Sequence, residues 1–346
     1  MGRPPIYIPA PYSGFALDSQ SVLERMLNPL YRLRFRITMI KAFNSINKQR
    51  AAHGLAPATY QEPWAGGRVV LSTTAFGIEH ARPMPPLFNF VGAVMPRESE
   101  PLGKSLRAWV KGTSTVLVNM DPECPLSPLH AKAIVDGLSQ LPQRTLWVID
   151  ESQHRALPPQ LPPAVKFRLG TSTSPLAVLR ESSVRVFVSS CTWTSAAEAL
   201  YFGKAILCIP FDSNAMAVAQ RLRHAGVARV LLPRTITAEQ VKAGVQSLQE
   251  SESARRASEH LGKLLRAAGG LDAAVSLVES TLALGTADLR LLSSKQPWYQ
   301  FMAADVFAIY VAILVLTTSV LRTLFSAFVV LFTVPVDTCG LQRKED

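Results

Sequence analysis

The sequence predicts an α/β protein: a doubly wound parallel sheet covered by helices, followed by a C-terminal membrane helix. Three observations predict it. From about residue 113, short apolar runs alternate with amphipathic ones, the pattern of βαβ units. The short runs are apolar at successive positions, as in strands buried on both faces of a parallel sheet. Across 306–336 the only charged residue is Arg322, and about 20 apolar residues suffice to cross the hydrocarbon of a bilayer.

Taken in order, the stretch before Val69 reads as mainly helical and basic. Strands follow at 69–71, 88–91 and 115–118. Between the last two, 95–104 holds Pro96, Pro101 and four charges, polar punctuation that marks a domain boundary. An amphipathic run at 129–141 then leads to strands at 145–149 and 165–169. A short helix at 176–180 precedes the strand 184–188. Helix 196–201, strand 205–209, helix 215–225 and strand 227–232 continue the alternation. Thr237-Ala238-Glu239-Gln240 has the form of a capping box and opens the next helix. In such sheets ligands sit beyond the carboxyl ends of the strands.

Composition excludes several classes. The chain has 346 residues, 48% hydrophobic and 18% charged, which excludes disorder for most of its length. Its four cysteines, Cys124, Cys191, Cys208 and Cys339, are scattered without a CxxC pair, which excludes a disulfide scaffold. There is no Gly-x-Ser-x-Gly elbow and no P-loop, so acyl and phosphoryl transfer have no support. The histidines (His53, His80, His130, His154, His224, His260) show no metal-ligand spacing, so no metal is expected.

The net charge is +11, and residues 1–60 carry eight Lys and Arg against Asp18 and Glu24. There Arg32, Arg34 and Arg36 interleave with Leu33, Phe35 and Ile37. A solvated helix face, an amphipathic helix on a bilayer and a nucleic-acid patch all fit, the last ranking lowest. The C-terminal span favours the membrane. Arg343-Lys344, fourth and third from the end, resemble a dibasic endoplasmic-reticulum retrieval tail, so a single-pass protein of that membrane is expected. No signal-peptide core follows Met1, so the chain as written reads as tail-anchored and facing the cytosol. The alternative, a natural start upstream of Met1, stays open.

The stretch that carries chemistry is Val186-Phe187-Val188-Ser189-Ser190-Cys191-Thr192-Trp193-Thr194-Ser195-Ala196-Ala197-Glu198. A buried strand ends in hydroxyl residues and enters a helix. Hydroxyls and helix-terminal N–H groups at such a corner hold phosphate. Glu198 is expected on the first helical turn, within reach of a ribose diol. The plainer account is an N-cap and a first-turn acid that suits the helix dipole.

This segment resembles the donor-binding signature of the UDP-glycosyltransferases, the glucuronosyltransferase superfamily with the two-domain GT-B fold. The matching pieces are Ser189 to Ser195, Glu198-Ala199, Gly203-Lys204-Ala205, Pro210 and Gly226. Phe90-Val91-Gly92, Pro142-Gln143-Arg144-Thr145-Leu146-Trp147 and Pro297-Trp298-Tyr299-Gln300 are similar to further family segments. The resemblance implies a partial N-terminal acceptor-side domain (1–112) and a Rossmann-like UDP-sugar-binding domain (113–270). A return helix and linker (271–301), a transmembrane segment (302–336) and a short tail (337–346) follow. It implies a UDP-sugar donor and no cofactor, a small lipophilic acceptor, and hexosyl transfer by inverting displacement. The donor-binding residues it implies are Ser190, Trp193, Thr194, Ser195, Glu198, Asp212 and Asn214, and no catalytic residue is assigned. The family's strand–helix front and its histidine base are expected upstream of Met1.

Departures from the pattern fall on the chemistry. The signature histidine is Ser190, a tryptophan position falls on Ser172, and a glutamine position falls on Pro175. The Gly-Ser turn after the domain's first strand is Asp121-Pro122, which adds a negative charge and removes an N–H. Family spacing from Pro210 to Gly226 puts Asn214-Ala215 at the sugar-contacting Asp-Gln pair. A shortened loop instead makes Asp212 the acid. These departures support a second reading: a catalytically inactive member acting as a membrane-anchored partner in a homo- or hetero-oligomer.

Overall fold

The computed structural model describes residues 10, 13, 15, 20–58, 68–79, 81, 84–96, 101–163, 167–170, 173–289 and 304–333. The chain divides into two compact units, Met1–Leu289 and Arg290–Asp346.

The first unit opens with α1 (Val22–Ala52), started by a capping box in which Ser21 and Glu24 satisfy each other's backbone N–H groups. Asn28 is buried in it and accepts a hydrogen bond from the Ala10 N–H at 2.6 Å. Leu23, Met26, Leu30, Leu33, Ile37 and Ile40, spaced alternately three and four apart, form one exposed apolar stripe beside Arg34, Arg36 and Lys41. Two short strands, β1 (Val70–Ser72) and β2 (Phe88–Phe90), then pair in parallel, Val70 opposite Phe88.

A doubly wound domain follows: α2 (Lys104–Lys111), β3 (Thr115–Asn119), α3 (Pro128–Ser139), β4 (Arg144–Val148), β5 (Phe167–Gly170), α4 (Pro175–Leu179) and β6 (Val184–Ser189). It continues through α5 (Trp193–Tyr201), β7 (Ala205–Cys208), α6 (Ser213–His224), β8 (Ala228–Val230), α7 (Ala238–Glu250), α8 (Glu252–Ala267) and α9 (Gly270–Leu284). The six strands pair in the order β5-β4-β3-β6-β7-β8, all parallel. The chain thus winds outward from β3 to β5, returns to the middle, and winds outward again to β8. Its switch point lies between β3 and β6.

Apolar strands form because both faces are covered. Leu117, Phe187 and Ile206 point into a core shared with Leu200 of α5 and with Leu261 and Leu265 of α8. Val116, Val118, Val186, Val188 and Leu207 point the other way, into a core with Ile134, Val135 and Leu138 of α3 and Val241 and Val245 of α7. Alternation of one strand's side chains between two buried layers explains the unbroken apolar runs.

The β1–β2 segment is fastened to this domain. Arg221 of α6 pairs with Glu79, and the Gly270 N–H donates to the Val91 carbonyl at 2.6 Å. The elements named from the sequence match except at their ends, and the reading did not include α2 or α8. The expected strand at 165–169 is β5, and its first two positions lie outside the described residues, as does Ser172. Helix α5 begins at Trp193 rather than at 196, because Thr192 takes the extended cap conformation and the helix starts directly after it.

The second unit contains α10 (Ala304–Thr333). Thirty residues at about 1.5 Å each exceed the roughly 30 Å hydrocarbon of a bilayer. Within Ala304–Val329 an 18-residue stretch reaches a mean hydropathy of 2.1, and none of that stretch is buried. The stretch Glu252–Leu284 is also long and apolar enough to span, but Gly269, at φ 93°, breaks it into α8 and α9, and α8 packs on α5. Residues 290–303 and 334–346, with Trp298 and the Arg343-Lys344 tail, lie outside the described residues.

Candidate functional site

Beyond the carboxyl ends of β3, β6 and β7 the first unit opens a cleft of about 570 Å³. It lies at the switch point. The end of β3 supplies Asp121 and Cys124, the β6–α5 turn supplies Ser190 and Thr192, the first turn of α5 supplies Thr194, and the end of β7 supplies Phe211 and Asp212. Hollows of about 660 and 640 Å³ lie beside β8 and at the amino ends of β3, β4 and β6. Neither is where open α/β sheets place nucleotides.

The β6–α5 turn is the most constrained part of the cleft. Cys191 takes a left-handed conformation, φ 66°, and its N–H donates to the Ser189 hydroxyl at 3.1 Å. A disulfide joins Cys191 to Cys208 at the end of β7, and both cysteines are fully buried. One cross-link is no scaffold, but the scattered spacing concealed this pair. Ser189 and Cys208 are register partners on adjacent strands, so their neighbours come together.

A chain of hydroxyls runs through the turn. Ser189 Oγ lies 2.9 Å from Ser195 Oγ, which lies 3.0 Å from Thr192 Oγ1. Thr192 Oγ1 donates to Asp121 Oδ1 at 3.1 Å, and Ser190 Oγ donates to Asp121 Oδ2. The Asp121 backbone is held as well. Its N–H donates to Ser190 Oγ at 3.3 Å, and its carbonyl accepts from Gln153 Nε2 at 2.8 Å.

The residues singled out from the sequence therefore separate. Ser190, Thr194 and Asp212 line the cleft, and Ser195 sits one hydroxyl behind. Trp193 turns elsewhere: its indole N–H donates to the Thr73 carbonyl at 3.0 Å, fastening α5 to the segment between β1 and β2. Asp212 caps α6, accepting from the N–H groups of Asn214 at 2.7 Å and Ala215 at 2.9 Å. Asn214 is exposed on that first turn and is not among the lining residues. With α5 starting at Trp193, Glu198 falls on the second turn, not the first. It is half-buried there. Burial first, and then the Asp121 charge, raise its pKa above the usual carboxylate value.

Sequence reasoning missed Phe211, Cys124 and Gln153, held Thr192 only as part of the hydroxyl-rich corner, and saw Asp121 only as a substitution. Burial first, then the charges of Asp121 and Asp212, push the Cys124 thiol pKa up to about 12, which disfavours its thiolate. Its pattern carried no signal. Among the described residues, no cluster of three or more His, Cys, Asp and Glu could hold a metal ion, and no histidine lines the cleft. His130 packs edge-on against the lining residue Phe211 at 5.0 Å between centroids, while its Nδ1 accepts from the Ser127 N–H.

The family described as "UDP-glucoronosyl and UDP-glucosyl transferase" matches residues 1–340. Among curated proteins, the chain is 24% identical over 314 residues to UDP-glucuronosyltransferase 3A1 of Xenopus laevis, covering 87% of this chain and 59% of that protein. It is 24% identical over 319 residues to UDP-glucuronosyltransferase 1A8 of Rattus norvegicus (90% and 58%), and 23% over 329 residues to UDP-glucuronosyltransferase 2B17 of Homo sapiens (89% and 58%). The chain thus spans about three fifths of the length of the curated relatives it matches. Among solved structures, the calicheamicin glycosyltransferase CalG4 superposes with a TM-score of 0.54 at 18% identity, over 70% of this chain and 59% of that one. The glycotransferase of kitacinnamycin gives 0.52 at 20% identity, over 61% and 54%. The shared fold is GT-B.

Proposed function

This chain belongs to the UDP-glucuronosyl and UDP-glucosyl transferase family, and from that premise we propose that its switch-point cleft takes the nucleotide of a UDP-sugar. In this reading a hexosyl group then passes, with inversion at the anomeric carbon, to the hydroxyl of a small lipophilic acceptor. The observation that carries it is the cleft's position, beyond β3 and β6 where the strand order reverses. Displacement at an anomeric carbon leaves charge on the departing diphosphate. The N–H groups that open α5 are the donors nearest to it, while the hydroxyls of Ser190 and Thr192 beside them donate to Asp121. Glu198, on the second turn, offers an acceptor for ribose.

Calorimetric titration of UDP-glucose onto the full chain in detergent tests the donor site. The expected result is saturable heat that uridine competes away. No heat with either ligand at millimolar concentration would remove this reading.

We further place α10 across a bilayer as a single pass, in the endoplasmic reticulum, with the apolar stripe of α1 resting on the membrane surface. The exposed apolar length of α10 supports the first part, and the arginine-flanked stripe supports the second. Protease treatment of sealed microsomes checks the orientation that the family likeness suggests. A C-terminal epitope after Asp346 is expected to be lost while the 113–289 domain survives. The reverse pattern would place the domain in the cytosol.

A further inference from the structure

We propose that the Asp121 carboxylate is the cleft's own anion: it occupies the hydroxyls at the start of α5 and so sets the cleft's specificity against diphosphate. The inference rests on the donor-site reading above and adds to it which part of the donor this chain is built to recognise.

The hydrogen bonds carry the argument. A helix start flanked by hydroxyls favours a negative group, because unpaired N–H groups and the helix dipole both point at it. Here the negative group is already supplied from within. Both carboxylate oxygens of Asp121 are engaged, one by Ser190 and one by Thr192. Thr192 is the N-cap residue of α5, yet its side chain makes no capping bond to the helix; its hydroxyl is turned to Asp121 instead. Bonds to an ionised acceptor are stronger than neutral ones, so this arrangement holds. The Gln153 amide and the Ser190 hydroxyl bind the Asp121 backbone from two sides, so the carboxylate is not a mobile surface group.

The remaining charges of the cleft point the same way. Among the described residues its charged lining consists of Asp121, Glu123 and Asp212, with no lysine or arginine. Glu198 lies close enough to Asp121 to feel its charge. Pro122, next in the chain, has no N–H to offer. An incoming diphosphate would have to displace Asp121 from two hydroxyls and then sit beside it. A nucleoside or a neutral sugar meets no such opposition. The cleft is therefore a site that reads the uncharged parts of its ligand and discounts the phosphates.

Calorimetry on the full chain in detergent tests this with three probes: uridine, UDP and inorganic pyrophosphate. For the protein as it stands, uridine and UDP are expected to bind within about threefold of each other and pyrophosphate not measurably. In Asp121→Asn, which keeps the shape and removes the charge, UDP affinity is expected to rise about tenfold or more. Pyrophosphate binding is expected to emerge, with uridine unchanged. Asp121→Ser should behave alike, and thermal melting establishes that each variant is folded. UDP binding the unmodified chain tenfold more tightly than uridine overturns the proposal without any variant. So does an unchanged UDP-to-uridine ratio in the folded variants. If uridine binds none of the three proteins while pyrophosphate binding still emerges in the variants, the donor-site reading fails and the role of Asp121 stands.

Discussion

Replacing Gly92 by alanine is expected to destabilise the first unit by about 3 kcal/mol or more, seen as a lowered urea midpoint at unchanged slope. Gly92 has a φ of +76°, and a Cβ built on it would lie 2.2 Å from the Leu265 carbonyl oxygen and 2.9 Å from the Ala268 Cβ. The left-handed backbone alone costs an L-residue about 1–2 kcal/mol. The larger part is the contact. Leu265 is fully buried near the end of α8, and its carbonyl cannot yield without moving the helix. Moving the loop instead would break two bonds, from the Gly92 N–H to the Thr74 carbonyl at 3.0 Å and from the Gly270 N–H to the Val91 carbonyl at 2.6 Å. Gly54 is the control. Its φ is +65° but nothing lies within 4 Å of an added Cβ, so Gly54→Ala should cost only the backbone part, about 1 kcal/mol. Equal effects at the two sites would show that α8 does not hold the β1–β2 segment closely.

Trp147→Ala is expected to cost about 3–5 kcal/mol, and Trp147→Phe less than about 1.5. Trp147 is fully buried in β4, on the face shared with α3, and its ring centroid lies 6.4 Å from that of Phe167. Alanine would leave a cavity bounded by strands on both sides, which cannot collapse. Phenylalanine keeps most of the volume. It also removes an indole N–H that has no hydrogen-bond partner among the described residues. Burying that donor unpaired already costs the native state about 1–3 kcal/mol, so its loss offsets part of the lost packing. Chemical denaturation of both variants checks the ranking, and a Phe variant as unstable as the Ala variant would refute it. Since β4 does not reach the cleft, uridine binding per folded molecule should stay as it was.

The sheet was legible because buried parallel strands leave an unbroken apolar signature. Val116-Leu117-Val118 and Val186-Phe187-Val188 could be read without knowing their partners. The start of α5 was not legible. Seven small, polar or aromatic residues from Ser189 to Ser195 look like one long turn, and only the cap conformation of Thr192 shows that the helix begins inside it. This displaced Glu198 by a turn. The family likeness marked Ser190 and Asp121 as separate substitutions, but nothing local in a sequence links positions 69 residues apart. Trp193 shows a link the sequence concealed. Its motif position suggests a ligand, whereas its N–H is committed to Thr73, 120 residues away. Asp212 was open to two alignments, and its geometry is that of a helix cap on the rim of the cleft.

The bond between Cys191 and Cys208 makes a sample's oxidation history part of its chemistry. Cys191 stands in the chain between the two residues whose hydroxyls reach Asp121, in a turn that an L-residue adopts only when its surroundings hold it there. Protein made in a reducing bacterial cytosol would retain two thiols in the core instead, and the turn would lose its covalent tie to β7. Such material could be soluble and helical and still present a different cleft. Titration of free thiols under denaturing conditions, before any ligand is added, therefore decides which molecule a binding curve describes.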